Sequence, residues 1–242
     1  MSTLHTKSIA TSLLVLAVAL LSAFSSLRAD TRRETRSLGA FTGVSLGGSA
    51  RVIVKQGSPQ SVVVEASPEA LADFETVVED QQLRLGYRRN KNNYNNYKDR
   101  GPVTVYVTAP SLAALKVGGS GKLQVDGPLK ADAMQLAVSG SGYLQVPQLT
   151  AGAVETVLSG SGDVQVSGSS PRHDVRISGS GSVKAHDFKA ENCQVRISGS
   201  GNAHIYASRA AEAAISGSGS VYVAGGGQLS STVRGSGRMM KE

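Results

Sequence analysis

Tryptophan is absent, cysteine occurs once, and aromatic residues make up only 5% of the 242-residue chain. A single cysteine, Cys193, excludes an internal disulfide, so an exported form must be stable by packing and hydrogen bonding alone. No Cys or His pair has metal-ligand spacing: His5 sits near the start, and His173, His186 and His204 fall at different places in the pattern below. Beyond Leu21 no apolar run approaches the length of a membrane span. Scarce aromatics beside 28 glycines suit thin, regular layers better than a large globular core.

What is present begins with a leader. Lys7 precedes an almost unbroken apolar run, Ile9 to Leu21, and small residues follow as far as Ala29. An apolar stretch of ~13 residues is short for a bilayer and typical of a secretory signal. Residues 1–29 therefore read as a signal peptide and 30–37 as a linker, and the expected location is the periplasm or the cell surface. Removing 1–29 leaves 213 residues, enough for one sizeable domain, and lowers the formal charge from +7 to +5.

The second half, 118–242, is periodic. Gly119-Ser120-Gly121 is followed by Gly140-Ser141-Gly142, Gly160-Ser161-Gly162, Gly179-Ser180-Gly181, Gly199-Ser200-Gly201, Gly217-Ser218-Gly219 and Gly235-Ser236-Gly237, at steps of 21, 20, 19, 20, 18 and 18 residues. After each of the first six motifs the second and fourth residues are apolar or alanine, from Leu123 and Val125 to Val221 and Val223. Before each motif from the second onward runs another apolar column, Val138, Leu158, Ile177, Ile197, Ile215 and Val233. Such alternation marks β-strands with one buried face, and a constant repeat marks stacked units that cannot bury that face alone. The predicted fold is all-β, a parallel β-solenoid whose rungs are strand, irregular corner, strand and a tight Gly-Ser-Gly turn. Six steps at ~4.8 Å give a stack of roughly 29 Å. Glycine supplies the sharp reversal, and stacked serine hydroxyls are placed to bond to one another or to neighbouring backbone.

Residues 38–117 look like less regular coils of the same domain that begin and cap the stack. Ser67-Pro68-Glu69 opens a short helical turn, with Leu71 and Phe74 on one side. Within this part lies one low-complexity stretch, RRNKNNYNNYKDRG at 88–101, with a charge of +4. It reads as a surface loop. Its Arg88, Arg89, Lys91, Lys98 and Arg100, interleaved with Tyr94 and Tyr97, have the chemistry to neutralise and stack on an anionic glycan or lipopolysaccharide.

FTGVSLGGSARVIVKQG at Phe41–Gly57, TVYVTAPSLAALKVGGSGK at Thr104–Lys122 and the Gly-Ser-Gly array together resemble the head GIN domain family, described as auto-transporter adhesin heads. The resemblance covers about residues 38–237. It implies a two-sheet β-superhelix similar to pectin-lyase-like folds, export, no catalytic residues, and a role in adhesion or envelope contact. Many relatives carry a lipoprotein cysteine after the signal; this chain has none there.

Catalysis needs convergent acids on one face. Glu155, Asp174 and Glu212 point outward from the second strand beside Arg176 and Arg196, while Asp163 stands alone on the first. Cys193 falls in an inward column with Met134 and Val154, and His173 shares it but sits beside Pro171, where it is expected to turn outward. The favoured reading is a non-enzymatic, exported, adhesin-like binding module without cofactor or metal. Its expected partners are an anionic glycan, lipopolysaccharide or another envelope protein, and no nucleic acid. The rival readings are a carbohydrate-active β-helix enzyme, lyase or hydrolase, using Asp163, Asp174 or Glu155, and a purely structural envelope scaffold.

Overall fold

The computed structural model describes residues 31–87 and 101–242. Its regular part is a stack of parallel rungs, about six turns in all. β8 (Ala114–Gly119) and β9 (Lys122–Val125) form one rung across a Gly-Ser-Gly turn. Above it follow β10 (Leu129–Gly140), β11 (Tyr143–Gly160), β12 (Asp163–Gly179), β13 (Ser182–Gly199), β14 (Asn202–Gly217), β15 (Ser220–Ala224), β16 (Gln228–Gly235) and β17 (Arg238–Lys241). Register is in step with the repeat: Val138 pairs with Leu158, then Ile177, Ile197, Ile215 and Val233 in succession. The same column continues downward through Val117 and Leu46 to Leu85. All of these side chains are buried except Val233 on the last rung.

The corner opposite the turn differs from the irregular break read from sequence. β11 to β14 each run through it as one strand, and the ladder passes with register shifts at Val146/Leu149, Gln165/Gly168 and Ala185/Lys189. A bulge lets a rung gain or lose a residue there and still pair with its neighbours, so the repeat length varies while the columns stay aligned.

Each motif residue has its own task. Gly140 has φ +111°, and a Cβ on it would stand 2.7 Å from the Gly119 carbonyl oxygen of the rung below. Gly142 faces inward, where a Cβ would come within 2.5 Å of Val117 Cγ1. Ser141 N donates to Gly119 O at 2.9 Å, and Ser161, Ser180, Ser200 and Ser218 donate one rung down at the same distance. Among the described residues the motif hydroxyls make no side-chain hydrogen bond, so the backbone carries the ladder expected of the serine side chains. Gly140→Ala is therefore expected to cost about 2 kcal/mol through strained backbone and crowding, while Ser141→Ala stays within about 0.5 kcal/mol. Urea unfolding of the two variants checks the difference, and equal midpoints would contradict the assignment.

The N-terminal part does cap the stack, but by a route the sequence hides. The rung of β2 (Gly43–Gly48) and β3 (Arg51–Gln56) lies directly below β8 and β9. Beneath it sit β6 (Gln82–Tyr87) and β7 (Thr104–Ala109), still parallel. Direction then reverses: β4 (Ser61–Ala66) pairs antiparallel with β7, and β5 (Phe74–Glu79) antiparallel with β6. The helix α1 (Pro68–Asp73) joins them, capped by Ser67, whose hydroxyl accepts from Ala70 N, and it turns Ala70 and Leu71 into the core. Residues 30–37, read as a linker, include β1 (Arg32–Thr35), which pairs antiparallel with β4 and holds Glu65 through Arg33. Its sequence RRET has no apolar alternation, so only backbone pairing marks it as a strand. Among the described residues no helix is long and apolar enough to cross a membrane.

Candidate binding surfaces

Two outward faces follow from the alternation. On the first-strand face, Gln124, Gln145, Gln165, Lys184, His204 and Tyr222 form one column, one residue per rung. Beside it run Lys122, Tyr143, Asp163 and Ser182. Neighbouring rungs hold these side chains in place. Tyr143 donates its hydroxyl to Gln165 Oε1 at 2.6 Å, and the Lys122 ammonium lies 4.9 Å from the centre of its ring. Burial, and then the nearby Asp163 carboxylate, raises the Tyr143 pKa above the ordinary phenol value. Further up, His204 stacks on Tyr222 with ring centres 4.4 Å apart, and Lys189 lies 4.0 Å above the Tyr206 ring.

The second-strand face is more charged. Glu155 and Asp174 are directly in register on adjacent rungs, as the rival enzyme reading requires. Each is held by an arginine: Glu155 pairs with Arg176, and Asp174 with Arg172 at 2.8 Å. Asp163 is on the other face, 3.6 Å from Lys184. The three acids thus do not converge. Among the described residues no group of three His, Cys, Asp or Glu is placed to hold a metal.

An open groove of about 840 Å³ runs along the corner below these acids. Leu112, Ala131, Ala133, Ala151, Gly152 and Pro171 give it an apolar floor, with Lys130 and Asp132 beside them. A smaller hollow of about 290 Å³ adjoins it through Ala113 and Ala133 and ends at Glu155, Arg172 and Asp174.

His173 is a correction. It does not turn outward beside Pro171; it is fully buried in the inward column, its Nε2 3.0 Å from Thr156 Oγ1 and its ring edge-on to Phe188. Burial, partly opposed by the charge of Asp174, lowers its pKa to about 4. β12 continues through Pro171, the ladder resumes at Arg172 and pairs His173 with Val154 and Cys193, and the pleat decides the direction. Cys193 is buried as expected, its thiol donating to Tyr206 O at 3.2 Å, and burial pushes its pKa up to about 12. Such a thiol is inert. One cluster had no signal in the sequence: the side-chain carboxylate of Glu242 lies 3.1 Å from His204 and 3.9 Å from His186.

All seven Gly-Ser-Gly motifs lie within the described residues, at the turn corner. Arg88, Arg89, Lys91, Tyr94, Tyr97, Lys98 and Arg100 fall outside the described residues.

No curated protein matches the chain. Solved structures do. A structure described as a putative adhesin from Bacteroides fragilis NCTC 9343 superposes with a TM-score of 0.80 at 19% identity, covering 88% of this chain and 97% of that one. A structure described as a putative lipid binding protein from Parabacteroides distasonis ATCC 8503 gives 0.72 at 22% identity, covering 89% and 98%. A structure described as a putative adhesin from Parabacteroides merdae ATCC 43184 gives 0.66 at 16%, covering 89% and 97%. At these identities the likeness shows the shared fold. Residues 40–227 match a family model, and the chain belongs to the family it describes, "putative auto-transporter adhesin, head GIN domain".

Proposed function

We propose that this protein is an exported, non-enzymatic, adhesin-like module of the periplasm or cell surface that binds an anionic glycan through the first-strand face. One observation carries the reading: amide, phenol and ammonium groups recur at rung spacing along that face, pre-positioned by contacts between rungs. Gln145 and Gln165 offer both donors and acceptors to sugar hydroxyls. Tyr143 presents an aromatic ring, and Lys122 and Lys184 supply positive charge. The basic, tyrosine-bearing stretch 88–101 adds charge of the sign an anionic polymer seeks. The neutralised pairs Glu155–Arg176 and Asp174–Arg172 support binding without turnover.

Retention on immobilised lipopolysaccharide and on acidic and neutral polysaccharides tests this, with each eluate assayed for new reducing ends and unsaturated products. Salt-sensitive retention on acidic polymers without turnover is expected, weakened about tenfold by Tyr143→Ala with Lys122→Ala, an effect of roughly 1.4 kcal/mol. Released products would instead mark an enzyme. Absence of retention on every polymer would leave a scaffold or a protein partner and overturn the glycan reading.

A further inference from the structure

The two ends of the stack are built differently. At the N-terminal end, α1 and the reversed strands β1, β4 and β5 close the core. At the C-terminal end, among the described residues, no strand lies beyond β16 and β17. β16 keeps the inward pattern of the rungs below it, Leu229 over Ala211, Ser231 over Ala213 and Val233 over Ile215. Yet Leu229 is 41% exposed and Val233 38%. Backbone groups along its outer edge face the same way with no described strand to meet them. An edge of this kind is a template for another strand.

The observations favour one occupant. Arg234, Arg238 and Lys241 make the open end basic, and its one acid, Glu242, is held by His204. Joining two such ends would oppose like charges. The opposite end of the same sheet is edged by β5, whose one described partner is β6. Around it lie Glu69, Asp73, Glu75, Glu79 and Asp80, five acids against the one arginine of β6, Arg84, which pairs with Glu79. Val77, pointing outward from it, is 40% exposed. β5 runs opposite to every parallel strand of that sheet, so β5 of one copy meets β16 of another as an ordinary antiparallel pair.

We propose that copies of this chain associate head to tail, the β16 edge of one pairing antiparallel with the β5 edge of the next. One register brings the two inward columns together, with Ser230 opposite the outward Val77. Leu229 opposes Val78, Ser231 opposes Thr76 and Val233 opposes Phe74 on the inward side. On the outward side Thr232 opposes Glu75 and Gln228 opposes Glu79, while Arg234 meets Asp73. The inward apolar residues thus face apolar ones, and the arginine faces an acid. On the other sheet the outer strands β17 and β1 both carry arginine, so the join is an offset contact along one sheet edge. Two different surfaces meet, so each added copy leaves one of each exposed and the contact does not stop at two copies. A row of modules engaging one polymer gains avidity without any new contact.

Sedimentation velocity across a concentration series of the purified protein decides this. Wild type is expected to grow continuously past two copies. Val233→Lys blocks the tail and the double variant Asp73→Arg with Glu75→Arg blocks the head, each weakening association at least about tenfold. Mixed in equal amounts, those two chains retain one intact joint between them and form dimers that stop at two, which also shows that both are folded. Arg234→Glu alone weakens the joint, and combining it with Asp73→Arg and Glu75→Arg in one chain restores growth past two copies. A wild type that stays monomeric throughout overturns the proposal. So does a dimer that stops at two and ignores the head substitutions, since it joins tail to tail.

Discussion

Ile197→Asp is expected to lower the melting temperature by about 10 °C or more, while the adjacent Arg196→Asp leaves it within about 2 °C of wild type. Ile197 is stacked between Ile177 and Ile215 in the buried column before the turn. Aspartate there strands a carboxylate with no cation in reach, at a cost of more than about 4 kcal/mol once the lost apolar burial is included. Each rung is supported only by the rungs above and below it, so damage at a central rung removes two interfaces rather than one. Arg196 lies one residue away and points into solvent, in register with Arg176 and Ala214. Arg176 keeps its bond to Glu155 whichever charge stands at position 196. Calorimetry on the two variants gives the comparison directly. Equal melting temperatures would mean that the inward and outward columns have been exchanged.

The contrast rests on a facing that alternation alone reveals, and this is where the sequence was most legible. Stacked parallel rungs repeat one local environment, so Val138, Leu158, Ile177, Ile197 and Ile215 announce a column before any coordinate is known. The N-terminal cap was obscure for the opposite reason. Val62–Glu65 and Leu83–Leu85 read as strands, but nothing local says that β4 and β5 run backwards or that β2 and β3 stack above β6 and β7. Those choices are made by contacts far apart in the chain. The hairpin between β5 and β6 turns at Asp80 and Gln81, both with positive φ and without glycine. It therefore carries no standard turn signal. Of the candidate surfaces, the outward columns were legible, as were Glu155 and Asp174. Their neutralisation by Arg176 and Arg172 depends on rotamers and on which rung each side chain leans toward. The corner groove was hidden because its lining, Leu112, Ala131, Ala151 and Pro171 among it, comes from positions far apart in the chain.

Acid is expected to weaken this fold through one residue. His173 is neutral and wholly enclosed, with its Nδ1 unpartnered. Its pKa lies at about 4 in the folded state, against an ordinary value of 6.5. From about pH 6.5 down to 4 the unfolded chain therefore binds a proton that the folded chain refuses, and stability falls with falling pH across that window. A gap of this size corresponds to about 3 kcal/mol, all of it present above pH 6.5 and lost by about pH 4. Below that both states are protonated and this group contributes no further change. Its surroundings are Thr156, Phe188, Val154 and Cys193, with Asp174 the charge that partly opposes the shift. Replacing Thr156 with valine and His173 with leucine together removes both polar groups without stranding either, so stability at neutral pH should change little. Urea unfolding at pH 7.5 and pH 4 separates the cases: wild type should lose about 3 kcal/mol more than the double variant between the two conditions. If the two proteins lose the same amount, His173 is solvated or partnered in solution, and the inward column at this rung is not closed.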